Sequence, residues 1–113
     1  MDVDEGIRAL RARGFVFTAI PDDDGAVRVV VGTFGWADCH DRLHIWSEQE
    51  AVAARVVPSG RHGAEDVVWT CEDDAVTTIS ALLDLPAPDE PGAPHLARRA
   101  PSGLWLPPSA SRA

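Results

Sequence analysis

Seven of the nine prolines in this 113-residue chain fall between Pro86 and Pro108. Proline fixes φ and lacks the backbone donor that helices and sheet interiors require, so this run bars regular hydrogen-bonded structure from the end of the sequence. Packed elements are thereby confined to a compact domain, residues 1–85. Residues 86–113 read as an extended tail that docks either on that domain or on a partner, with the apolar triplet Leu104, Trp105 and Leu106 as its anchor.

Within the first 85 residues the clearest element is a β-hairpin. FVFTAI and AVRVVVGTF are rich in β-branched and aromatic residues, and PDDDG between them supplies turn-forming aspartates and a glycine. The unbroken run Val29–Val31 predicts a strand covered on both faces and central in its sheet. A helix precedes the hairpin. Asp2, Asp4 and Glu5 start it, Val3, Ile7 and Leu10 form a narrow stripe, Arg11 and Arg13 close it, and Gly14 supplies the left-handed residue beyond.

Residues 42–57 admit two readings. As a helix, Ser47 and Glu50 form a capping box and Cys39, Leu43, Trp46, Ala53 and Val57 share a face that Glu50 interrupts. As a hairpin joined at Glu48–Glu50, the segment sends Leu43 and Ile45 to one face and His44 and Trp46 to the other. We prefer the hairpin because it keeps both halves in period two with no charge on the core side. DVVWTC then forms a further strand with Trp69 in the core, and EDDAVTTISALLDLP forms a helix with Ala75, Val76, Ile79, Leu82 and Leu83 on its apolar face, stopped by Pro86. The order of helix, about five strands and helix reads as α+β: a small antiparallel sheet with two helices packed on one face.

Eighteen acids against ten arginines give a net charge of −8, with the acids clustered at Asp22–Asp24 and Glu72–Asp74. That sign repels phosphate backbones and anionic lipid, which argues against nucleic-acid or membrane binding and for a basic protein partner. No apolar run approaches the length of a membrane span, and the acidic start is unlike an export signal, so we expect a cytoplasmic protein. The chain has no Lys, Asn or Tyr, a bias that GC-rich codons produce and that suggests a bacterial source. Cys39 and Cys71 are expected to stay reduced, as small buried hydrophobes.

The stretch GTFGWADCHDRLHIWSEQE carries the densest chemistry. Consecutive Cys39, His40 and Asp41 cannot act as a triad, because neighbours on a strand point to opposite faces. His40-Asp41-x-x-His44 matches a zinc-protease spacing only on a helix; on a strand the histidines stand about 13 Å apart. The third ligand would have to come from His62, His95 or a carboxylate, and we expect no metal or other cofactor. On a strand, Asp38, His40, Arg42, His44 and Trp46 form one alternating row that lines a ligand groove, meets a partner, or is the sheet's solvent face. Trp36, just before the row, joins these five and Leu104, Trp105 and Leu106 as the candidate partner- or ligand-binding residues. The leading functional reading is a small acidic binding protein without catalysis of its own: an adaptor, accessory subunit or immunity-type inhibitor. The alternative is a small-molecule or metal-binding enzyme using the Asp38–Trp46 face, joined by Cys71 or Asp66. A homodimer made by exchanging the tail is a third possibility.

Overall fold

Local chemistry sets the element boundaries in the computed structural model, which describes residues 1–58 and 65–96. Asp2 opens α1 (Val3–Ala12) with a reciprocal capping box: its carboxylate accepts from the Glu5 N–H at 2.8 Å, and the Glu5 carboxylate accepts from the Asp2 N–H at 3.1 Å. Gly14 stands just past the C-cap with φ +111°, where a side chain would be strained. The chain then runs as a meander of β1 (Val16–Pro21), β2 (Val27–Gly35), β3 (His40–Ser47), β4 (Glu50–Pro58) and β5 (Glu65–Asp73). The Asp22 carboxylate ties the first turn by accepting from the Asp24 and Ala26 N–H groups. Asp74 caps α2 (Ala75–Asp84) by accepting from the Thr77 N–H at 2.8 Å, so Glu72 and Asp73 end β5 instead of starting the helix.

The five strands lie in sequence order, each antiparallel to the next, which gives the expected α+β architecture. Residues 42–57 form the preferred hairpin. The run Val29–Val31 sits on an interior strand, but β3 and not β2 is central. Pairing sets the faces: Ile45 opposes Ala51, Leu43 opposes Ala53, and these join Leu10, Phe15, Ala75, Ile79 and Leu82 in the core under the helices. Leu10, Leu43 and Ile79 are wholly buried, each stabilising the fold by about 1.5–3 kcal/mol. Trp69 borders this core, half-buried.

The expectation of an uncharged core side is overturned. Asp41 and Arg55 pair across β3 and β4 on the helix side of the sheet, 3% and 1% exposed. Among the described residues, no helix is long and apolar enough to cross a membrane. His62, Leu104, Trp105 and Leu106 lie outside the described residues.

Candidate functional site

Alternation along β3 places His40, Arg42, His44 and Trp46 on the face turned away from the helices. Cross-strand register brings Val31 and Val52 beside His44, Thr33 and Ala54 beside Arg42, and Val56 beside His40. The Trp46 indole meets the His44 ring edge-on at 5.5 Å. This face is no solvated polar surface: His44 is 0% exposed and Arg42 6%, among buried valines and alanines. Asp38 stands apart, exposed in the β2–β3 turn. Cys71 opposes Ala53 and so faces the helices, and Asp66 opposes Val57, one step out of the row; neither joins the histidines. The residue that does is Glu65, close enough to Arg42 and His40 to favour their charged forms. Sequence reading passed over it because its strand begins there, after a polar connection.

Arg42 donates from Nη2 to His40 Nε2 at 3.2 Å. A guanidinium has no acceptor, so His40 is neutral with its proton on Nδ1. Burial and the Arg42 charge both hold His40 below the ordinary histidine range, and burial followed by Arg42 pushes His44 down to about 4. Burial also lowers Arg42, and its Nε and Nη1 have no hydrogen-bond partner among the described residues. Cys39, beside the row, has its thiol pushed up by burial and remains protonated at neutral pH, unsuited to nucleophilic attack. An open hollow of about 660 Å³ lies over Asp38, Cys39, His40, Pro58 and Glu65. Among the described residues no three His, Cys, Asp or Glu side chains could hold a metal ion.

Trp36 belongs to a different cluster, on the helix side. Its indole N–H donates to Asp41 Oδ2 at 2.9 Å, and Arg55 grips the same carboxylate with two bonds, Nε to Oδ1 at 2.7 Å and Nη2 to Oδ2 at 3.0 Å. Arg55 Nη1 donates to the Pro86 carbonyl at 2.7 Å, and its guanidinium lies 5.5 Å from the centre of the Trp36 ring. Three hydrogen bonds thus hold Asp41, and the cluster fixes where the chain leaves α2. The adjoining cavity, about 280 Å³, is lined by Arg13, Phe15, Phe34, Trp36, Leu82 and Leu85.

The opposite end of the molecule is acidic. In this meander β1, β3 and β5 all finish at one end, which collects Asp22–Asp24, Glu48, Glu50 and Glu72–Asp74. Gly6 lies against Ile79 and Arg13 Nη1 reaches the Leu83 carbonyl, so α1 advances in the same direction as α2 and brings Asp2, Asp4 and Glu5 to that end as well. Glu50, Glu72, Asp73 and Asp74 rim an open hollow there.

No protein-family model, curated protein or solved structure matches this chain.

Proposed function

We propose that this chain is a small cytoplasmic protein-binding module without catalysis of its own, which engages a basic surface of another protein as an adaptor, accessory subunit or immunity-type inhibitor. The observation that carries this reading is the gathering of acids at one end of the sheet. Several have local work: Asp2 and Asp74 cap helices, Asp22 ties a turn, and Asp73 accepts from the Asp74 N–H. Asp23, Asp24, Glu48 and Glu72 are exposed, and their carboxylates have no such role among the described residues. Like charges held together raise the free energy of the folded state, and a cationic surface relieves that repulsion. The acids are spread over several turns and do not converge on a point, which suits an extended protein surface better than a single ion. The enzymatic alternative has weaker support, because the Cys39 thiol is raised and His44 is sealed from solvent.

The test is capture of a partner from lysate of the source cell at low salt, followed by association kinetics with the purified pair. Association should slow by about tenfold or more between low and physiological salt. The combined variant Asp23→Asn, Asp24→Asn, Glu48→Gln, Glu72→Gln should slow it similarly at low salt. Association indifferent to both changes overturns the proposal.

A further inference from the structure

The helix-side cavity beside Trp36 combines an aromatic wall with two opposite charges that do not pair with each other. Phe34 links the rings of the wall, stacked on Phe15 at 5.4 Å and edge-on to Trp36 at 4.8 Å between centroids. Leu82 and Leu85 add aliphatic surface from the end of α2. Ala87 and Glu90 come from the turn that follows, which is anchored where Arg55 Nη1 holds the Pro86 carbonyl. At about 280 Å³ the space lies just under the range of about 300–1,000 Å³ that holds drug-sized molecules, so its occupant is compact.

Arg13, Asp41 and Glu90 are the charged lining residues among those described. The charge of Asp41 is met by Arg55 through two hydrogen bonds. Arg13 and Glu90 are exposed, and each is held by neutral backbone groups: Arg13 Nη1 donates to the Leu83 carbonyl at 2.7 Å, and Glu90 Oε1 accepts from the Ala87 N–H at 2.8 Å. These bonds fix position without cancelling charge. Among the described residues neither side chain forms an ion pair, so a guanidinium and a carboxylate face one aromatic cavity with donors and lone pairs to spare.

We propose that this cavity binds a free α-amino acid with an aromatic side chain, its ring against Phe34 and Trp36, its carboxylate on Arg13 and its ammonium on Glu90. A purely apolar molecule would fill the wall and leave both charges to water. An ion of one sign would meet one partner and one opponent. A zwitterion with an aromatic body answers the wall and both charges, and because it carries no net charge the −8 of the chain neither repels nor attracts it. The backbone bonds that hold Arg13 and Glu90 also reduce the ordering cost of binding.

The experiment is calorimetric titration of the full chain with L-phenylalanine, with phenylpropanoate, which lacks the ammonium, and with phenethylamine, which lacks the carboxylate. Indole N–H resonances are followed by nuclear magnetic resonance in the same samples. L-phenylalanine should bind one to one and shift the Trp36 indole signal. Each analogue should bind at least about tenfold more weakly, because it leaves one charge-assisted hydrogen bond unmade. Glu90→Gln keeps a side-chain oxygen for the Ala87 N–H while removing the charge, so it should weaken L-phenylalanine by about tenfold and leave phenylpropanoate binding no weaker. No saturable binding at millimolar L-phenylalanine overturns the inference. Analogues that bind as tightly as L-phenylalanine also overturn it, since the two charges then go unread, and so does binding that leaves the Trp36 signal unmoved.

Discussion

Truncating Asp41 to Ala strands the Arg55 guanidinium at 1% exposure and takes the acceptor from the Trp36 indole. A buried charge that loses its partner costs about 3–5 kcal/mol, so urea unfolding of Asp41→Ala should show a loss of that size. Replacing both ends with apolar groups removes the stranded charge. The double variant Asp41→Val, Arg55→Met should therefore cost at least about 2 kcal/mol less than the two single changes summed. Additive costs would show that the two side chains act independently. His44 gives a second test at this scale. Its folded pKa near 4 lies below the ordinary 6.5, so the unfolded chain takes up the proton first as pH falls. The stability His44 contributes is fully present above about pH 6.5 and drains away toward pH 4. Unfolding free energy should fall by about 2 kcal/mol between about pH 7 and about pH 5, with His40 acting in the same direction. A flat profile over that interval, or a His44 ring that protonates near 6.5, contradicts this account.

At the scale of elements, what sequence discloses is whatever local chemistry decides. The acidic start of α1, the Asp22 turn and the alternation from Leu43 to Ile45 each act within a few residues, and all three are readable. The same alternation places Asp41 on the Leu43 face, yet an acid at the edge of an apolar row reads as the polar margin of a strand. Its partner Arg55 lies fourteen residues away, and their opposition depends on the register of β3 with β4, which shifts at Ile45/Ser47. The burial of the outer face was equally hidden, because a row of His, Arg and Trp carries the composition of a wet surface. Gly6 is a further feature set by packing between elements. A Cβ there would stand 2.8 Å from Cγ2 of the wholly buried Ile79, which has little room to yield. Gly6→Ala gains about 1 kcal/mol of helix propensity but incurs about 1–3 kcal/mol of overpacking. We expect a net loss of about 1 kcal/mol, read as a lower Tm; a raised Tm would mean that α1 and α2 separate more easily than the contact implies.

For the whole molecule, the meander that makes the fold simple also sends the acidic turns after β1, β3 and β5 to the same end. Screening sets how far those charges act on one another, from about 30 Å at 0.01 M salt to about 8 Å at 0.15 M. Added salt should thus stabilise the isolated protein, on the order of 1 kcal/mol over that range, because it weakens repulsion among exposed acids while leaving the dry Asp41–Arg55 pair almost untouched. Neutralising Asp23, Asp24, Glu48 and Glu72 should give the same gain at low salt and shrink the response to added salt. Chemical unfolding by urea, which carries no charge of its own, measures both. If the two effects appear together, the acids reduce the stability of the chain in isolation, and the module retains them at an energetic cost that a basic partner would remove. If salt leaves stability unchanged, the turns are spaced widely enough for water to screen them, and the electrostatic argument for a partner loses its basis.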